Sequence, residues 1–307
     1  MRRVERKKKP KRLWLKIPVI IVVLLVLGIG TYALLLYNNA KKTVNERMHD
    51  PVETIDTDLT KKKLRATDPI NVLLLGIDAE GSTTGRSDAI MVMQLEPKTD
   101  ELTIVSIPRD TRTEIIGKGF DDKINHAYAF GGADMAVATV ENFLDIDLDY
   151  YVSINMDGLV ELVDELGAIT ITNEIAWSDS KYDFPEGIME MDGEKTKAFV
   201  RMRKKDPAGD FGRTQRHRKV IEGIINEGAS VGSIPKFTGM MDILGTNMAT
   251  NMDFDDMKLL FGSYKDTRRN ITEHMVSGSG TTIDGIYYLI VPAEEVQKAH
   301  DLLTIKS

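Results

Sequence analysis

Hydrophobic and polar positions divide the chain into three stretches. From Ile17 to Tyr37 the sequence runs IPVIIVVLLVLGIGTYALLLY without one charge, after the basic head MRRVERKKKPKRLWLK. About twenty apolar residues at roughly 1.5 Å each span a bilayer. The run is too long for the core of a signal peptide and no small-x-small cleavage site follows it, so it reads as a signal anchor. Lys and Arg crowd one flank, which by the positive-inside rule leaves residues 1–16 in the cytoplasm and the rest outside. Trp14, Tyr32 and Tyr37 then fall at the interfaces. Residues 38–68 are polar and charged (KKTVNERMHD, TKKKLRATDP), with no periodicity beyond one short helix, and are expected as an extracellular stalk. Residues 69–307 are long enough for one large extracellular domain with its own core.

Within that domain the pattern predicts alternating strands and helices. INVLLLGID (Ile70–Asp78) is a continuous apolar run ending in Gly and Asp, as in a strand buried on both faces with a loop at its carboxyl end. AIMVMQL and ELTIVSI flank the turn EPKTD and predict an antiparallel hairpin. GGADMAVATVENFL reads as helix, DYYVSINM as strand, DGLVELVDELG as a helix closed by Gly167, and AITITNEI as strand. Helices follow through EKTKAFVRM, from Arg213 to Glu227, and in DFDDMKLLFGSY behind an Asp253 cap; then come a strand at GIYYLIVP and a closing helix. The expected class is α/β, a layered mixed β-sheet with helices on both faces, preceded by one N-terminal transmembrane helix.

Charge changes the picture at one place. The formal net charge is −7, but nine Arg/Lys and one Glu precede Leu36, leaving −15 for everything after it. Inside that acidic region RMRKKDPAGDFGRTQRHRK (Arg201–Lys219) gathers eight Arg or Lys and a His, so this excess needs a local cause. The absence of cysteine excludes disulfides, thiolate metal sites and a cysteine nucleophile, and suits an exported protein of a single-membrane bacterium. Neither G-x-S-x-G nor a P-loop occurs, leaving serine hydrolase and NTPase chemistry without support.

Helical register separates the basic cluster. Arg213, His217, Val220 and Ile224 fall within about 60° of one another, with Arg216 and Ile221 on the shoulders, so cations share the apolar inward face. Inward Arg must either meet buried carboxylates or line an anion pocket, and the helix N-terminus behind GDFG favours the pocket. Arg201 and Arg203 point the same way if the chain is extended there, while Lys204, Lys205, Arg218 and Lys219 are expected as solvated surface. Asp78 and Asp88, at adjoining strand ends across a Gly/Ser/Thr loop, form a candidate hard-cation site, although turn formation explains them equally well. SIPRDT sets Arg109 and Asp110 at the end of the second hairpin strand, beside Arg86 and Asp88 if the pairing holds; surface ion pairing is the alternative there. KINHAYAFGG holds Lys123, Asn125 and His126, and a lone His of this kind is more often structural than catalytic.

LLLGID, RSDAIMV, SIPRDT, KINHAY with GG, the YY-x-x-I-N-x-D-G-L-V-x-L-V-D-x-L-G block, and R-x-R followed by D-F-G-R-x-x-R occur in that order across Ile70–Glu227. Together they closely resemble the LytR-CpsA-Psr family. The resemblance implies a phosphotransferase on the outer membrane face of Gram-positive cells, moving an anionic glycopolymer such as wall teichoic acid from a polyprenyl pyrophosphate carrier to peptidoglycan. It implies Mg²⁺ or Mn²⁺ on Asp78 and Asp88, and pyrophosphate contacts from Arg86, Arg109, Arg201, Arg203 and Arg213. Asp78 either shares the metal or accepts the acceptor hydroxyl's proton. Where the family usually has Gln, this chain has His217, whose charge varies with pH. The prenyl tail requires an apolar groove, for which the segments around Ala133–Leu144 and Met240–Leu260 are the candidates, ordinary core being the expected role for most of their residues. A regulatory, nucleic-acid-binding protein, a lipid-pyrophosphate hydrolase and a non-catalytic scaffold that holds the lipid carrier are the competing readings. An extracellular domain meets no cytosolic DNA, so nucleic acid is not an expected partner.

Overall fold

The computed structural model describes residues 16–80, 84–202, 205–228 and 236–304, with side chains from Gly30 onward. Contacts divide the chain into two compact units, residues 1–42 and 43–307. Helix α1 (Lys16–Thr43) covers the expected anchor at the level of the backbone. Among the described residues no helix is long and apolar enough to cross a membrane. Trp14 lies outside the described residues.

In the second unit, much of the expected stalk is part of the fold. A π-helical turn (Val44–Met48) buries both of its ends, and Val52 and Ile55 join the main core. Helix α2 (Thr57–Ala66) is capped by Asp56, whose carboxylate accepts from two backbone N–H groups, and buries Thr60 and Leu64 on an otherwise charged helix. Strands β1 (Ile70–Ile77), β2 (Ser87–Glu96) and β3 (Glu101–Ser106) then form the expected antiparallel core hairpin and its neighbour. A small hairpin follows, β4 (Arg112–Ile115) with β5 (Phe120–Lys123), and then α3 (His126–Leu144), kinked at Gly131 and Gly132. Strand β6 (Tyr150–Asn155) pairs parallel to β1, and α4 (Met156–Leu166) closes on Gly167 in the left-handed region, as its sequence predicts.

AITITNEI contributes β7 (Ile169–Asn173), but not to the main sheet. After the short strands β8 (Trp177–Ser178) and β9 (Asp183–Phe184), it pairs with β10 (Gly187–Met191) in a separate ribbon beneath Phe184 and Phe199. Helices α5 (Gly193–Arg201), α6 (Asp210–Gly228) and α7 (Phe237–Asn247) follow. Strand β11 (Met248–Thr250) leads to α8 (Phe254–Ser263), whose Asp253 cap forms a full capping box with Asp256. A 3-10 turn (Lys265–Arg269), β12 (Asn270–Met275), the hairpin of β13 (Ser279–Ile283) with β14 (Ile286–Ile290), and α9 (Ala293–Leu303) complete the chain.

Among the described residues the main sheet has six strands in the order β11-β6-β1-β2-β3-β12, with parallel pairs β1/β6 and β3/β12 and antiparallel pairs elsewhere. Alternation in β1 sorts its faces. Leu73, Leu75 and Ile77 pack with Val137, Val140 and Leu144 of α3 and with Leu303 of α9. Val72 and Leu74 face the other way, towards α8 and α6, where the layers stand apart around a cavity of about 750 Å³. Ala133–Leu144 belongs to the first face and is core. The cavity is lined instead by Leu244, Met248, Met252, Met257 and Leu260, within the other segment expected to form the groove.

Candidate active site

A register break builds the centre of the site. Along β1 and β2, Gly76 pairs with Ala89 but Ile77 pairs with Ser87, so Asp88 is the extra residue of a β-bulge. Bulges re-aim one side chain and commonly sit beside active sites. Gly76 permits the close strand approach here, because a Cβ on it would lie 2.9 Å from that of Ala89.

The bulged carboxylate is buried and accepts three hydrogen bonds from three segments. Arg109 Nη1 donates to its Oδ2 at 2.6 Å, Arg213 Nη2 donates to the same oxygen at 2.8 Å, and Asn125 Nδ2 donates to Oδ1 at 3.2 Å. Arg109 comes from the loop after β3, Arg213 from the first turn of α6 and Asn125 from the start of α3. Burial alone would raise the Asp88 carboxyl, but Arg213 and Arg109 outweigh it and hold it below the usual carboxylate range. Asp88 is therefore an anion, and a weak base.

A second ion-pair cluster lies around the end of β1. Arg201 Nη2 donates to Asp78 Oδ1 at 3.0 Å while its Nη1 reaches Glu80 Oε1 at 2.9 Å, and Lys197 Nζ meets the same Glu80 oxygen at 2.9 Å. Hydrogen bonds from Lys197 and Arg201 hold Glu80 below the usual carboxylate range. Arg201 is the last residue of α5 rather than part of an extended R-x-R, so its direction follows from the helix end. Arg203 lies outside the described residues, as does Lys204. Arg86 is exposed before β2, its carbonyl accepting from the N–H of Asp78 at 3.0 Å. Asp78, Asp88, Arg213 and His217 all line the 750 Å³ cavity, so its polar end and its apolar length belong to one space.

The rest of the basic cluster is tied up internally. Arg216 is buried and donates to the carbonyls of Phe199 and Met202 and to the carboxylate of Asp206, fastening α6 to the end of α5. Arg218, expected on the surface, is buried and pairs with Glu273 of β12 at 2.6 Å. Lys219 pairs with Glu174 at 2.8 Å. Helical register alone could not place these two, because their partners arrive from β12 and the loop after β7. His217 is buried with Nε2 3.2 Å from the carbonyl of Val200, so the proton lies on Nε2 and Nδ1 has no partner. Burial, then the neighbouring Arg213, push its pKa down to about 3, so the ring is neutral and its one donor is committed to the backbone. His126 sits with Nδ1 2.8 Å from Asp122 and its ring edge-on to Phe130. Asn125 is the residue whose part sequence reasoning underrated; its only signal was its place in KINHAY, next to the more conspicuous His.

An apolar cavity ending in buried guanidinium and carboxylate groups fits an amphipathic anion. The profile of the LytR_cpsA_psr family matches residues 31–304. The chain belongs to the LytR-CpsA-Psr family. It is 46% identical over 286 residues to the polyisoprenyl-teichoic acid–peptidoglycan teichoic acid transferase TagU of Bacillus subtilis, covering 93% of each chain. The crystal structure of B. subtilis TagU superposes with a TM-score of 0.65 at 43% identity, covering 78% of this chain and 99% of that one. A crystal structure from Enterococcus faecalis, described as that of a transcriptional regulator, gives a TM-score of 0.70 at 36% identity over 78% of this chain and 89% of its own.

Proposed function

We propose that this LytR-CpsA-Psr protein transfers an anionic glycopolymer, teichoic acid, from a polyprenyl pyrophosphate carrier to a hydroxyl of peptidoglycan. The observation that carries the reading is the junction of a long apolar cavity with the buried Arg109–Asp88–Arg213 cluster: one end suits a prenyl chain and the other a pyrophosphate. That the B. subtilis relative at 46% identity is a teichoic acid transferase supports the reaction class. The chain is read as an anchored membrane protein, with residues 1–16 cytoplasmic, 17–37 spanning and the enzyme outside the cell.

In this reaction the acceptor oxygen bonds to the phosphorus that carries the polymer. The bridging P–O bond breaks, prenyl phosphate leaves with the electron pair, and the hydroxyl proton passes to a base. Arg109 and Arg213 turn from Asp88 towards phosphate oxygens, and Arg201 approaches from the Asp78 side, with Arg86 and Arg203 completing the set. Planar guanidinium forks grip paired oxygens and stay charged when buried, so they stabilise the charge that builds on the leaving phosphate. His217 ties α6 to the end of α5 as a neutral donor to Val200, and makes no ionic contact of its own. Asp78, less buried than Asp88, is the better placed proton acceptor.

Among the described residues no three His, Asp or Glu side chains form a metal cluster. The donor set nevertheless fits a divalent cation shared with substrate: Asp78 and Asp88 face one cavity, and the buried Oδ1 of Asn125 beside Asp88 has no hydrogen-bond donor. Mg²⁺ is commonly held by one or two carboxylates plus phosphate oxygens. Bound there by Asp78 and Asp88, it would neutralise pyrophosphate charge and favour departure of prenyl phosphate.

The regulatory alternative rests on the basic cluster of α6, whereas Arg213, Arg216 and Arg218 are buried, and Arg109 part-buried, against carboxylates and carbonyls of the protein itself. Reconstituted ligation with a lipid-linked polymer and peptidoglycan acceptor tests the reading. Asp88→Asn and Arg109→Ala should each lower transfer by two or more orders of magnitude, as loss of an electrostatic stabiliser does. Wild-type transfer by either variant, or phosphate release without ligation, would refute it.

A further inference from the structure

The cavity has a second end. Its polar end lies at Asp78 and Asp88, and β1 runs eight residues back from there, about 26 Å at 3.3 Å per residue. At the start of β1, Tyr264 donates its hydroxyl to the carbonyl of Asp68, which brings the end of α8 to this point. Here Phe261, Lys265 and Arg268 line the cavity and are exposed, Phe261 by 75%. Their spacing of four and three residues sets them on one face of α8 and the 3-10 turn that continues it. The end of helix α2, held to the end of α8 through the Tyr264–Asp68 bond, adds exposed Arg65. The acids beside it are occupied: Asp68 by Lys98 at 3.1 Å and Asp266 by Arg269 at 3.0 Å. Among the described residues Arg65, Lys265 and Arg268 have no carboxylate partner.

An exposed large apolar side chain flanked by unpaired cations at a cavity mouth suits interfacial attachment to anionic lipid. We propose that this end of the cavity docks on an anionic phospholipid bilayer, with Phe261 entering the boundary between headgroups and acyl chains. The three cations lie against lipid phosphates, and the cavity then opens into hydrocarbon, so a prenyl chain passes from bilayer to cavity without crossing water. This deepens the prenyl-carrier reading and rests on it. A soluble acidic protein partner would match the cations but leaves the exposed Phe261 at the mouth of an apolar cavity without purpose.

The chain contains no cysteine, so Phe261→Cys offers a unique thiol for an environment-sensitive NBD label. The full chain is reconstituted in nanodiscs of phosphatidylcholine with or without phosphatidylglycerol, and Ile188→Cys, 80% exposed on β10, serves as the solvent reference. With phosphatidylglycerol, emission from position 261 should shift to the blue and be quenched by nitroxide-labelled lipids, while position 188 stays solvent-like. Adding Lys265→Glu and Arg268→Glu should return the label at 261 to the solvent value. Solvent-like emission at 261 in anionic discs, the same signal at 188, or no response to charge reversal would overturn the proposal; equal immersion in pure phosphatidylcholine would overturn its electrostatic part. The measurement uses no donor substrate. A label that docks in a protein whose ligation is indifferent to Asp88 would sink the proposed reaction and leave docking intact, whereas normal ligation without immersion would sink docking alone.

Discussion

Replacing His217 by Gln should make the enzyme less sensitive to acid. The imidazole is buried between Arg213 and the Val200 carbonyl, and its pKa falls from about 6.5 in the unfolded chain to about 3 in the fold. Between these values the unfolded chain binds a proton that the native protein refuses, so stability rises with pH across that window and is lost as pH falls. The slope is about 1.4 kcal/mol per pH unit below 6.5, which gives a loss of about 2 kcal/mol at pH 5 from this residue alone. Gln retains an N–H that can reach the Val200 carbonyl but carries no titratable proton. Chemical unfolding of the detergent-solubilised chain, followed through tryptophan fluorescence at pH 7.5 and 5, compares the two proteins. His217→Gln should lose about 2 kcal/mol less than wild type over that interval. An unchanged pH dependence would refute the claim that His217 is held neutral.

Asp88→Ala should destabilise the domain by about 3–5 kcal/mol, because it leaves two buried guanidiniums without their shared anion, while Asp88→Asn should cost less; thermal melts of both variants check this ordering. Glu222 behaves oppositely to His217: burial and then Glu273 raise its pKa to about 7, so its contribution is present below the unfolded value near 4.5 and is lost as pH rises through 7. Glu222→Gln should therefore gain on the order of 1 kcal/mol over wild type at pH 8 and little at pH 4, measured by the same unfolding assay. Gly212→Ala would put a Cβ 1.8 Å from the Asp206 carboxylate and push that group off Arg216. A loss of about 1–3 kcal/mol is expected, and a neutral result would show that Asp206 can move freely.

The parts legible in sequence were those whose signal is local. Continuous apolar runs marked β1 to β3, Gly167 and Asp253 marked helix ends, and Asp78, Asp88, Arg109 and Arg213 stood out as charges at element ends. What escaped depends on partners distant in sequence. Strand β12, NITEHM, is largely exposed at the sheet edge and carries no apolar run. Because it could not be seen, Arg218 looked solvated, although Glu273 of that strand holds it. A short helix is expected in the stalk, but that α2 docks on the domain does not show in TKKKLRA, because two buried side chains suffice to hold it. β7 alternates as a strand should, yet periodicity does not say with which sheet it pairs. The bulge at Asp88 likewise follows from pairing register, which one strand cannot reveal.

That bulge has a consequence for how the enzyme meets its substrate. Arg109, Arg213, Arg201 and Lys197 are each already facing a carboxylate, so the site contains strong local dipoles but little uncompensated charge. A balanced site projects a weak field beyond its own walls and does not steer dissolved anions from a distance. Free phosphates and nucleotides would have to displace Asp88 without help from long-range attraction and without an apolar tail to hold them. Selectivity is thus set before chemistry begins: anions are admitted in exchange for an internal one, and those that arrive attached to a hydrocarbon chain have the means to complete the exchange.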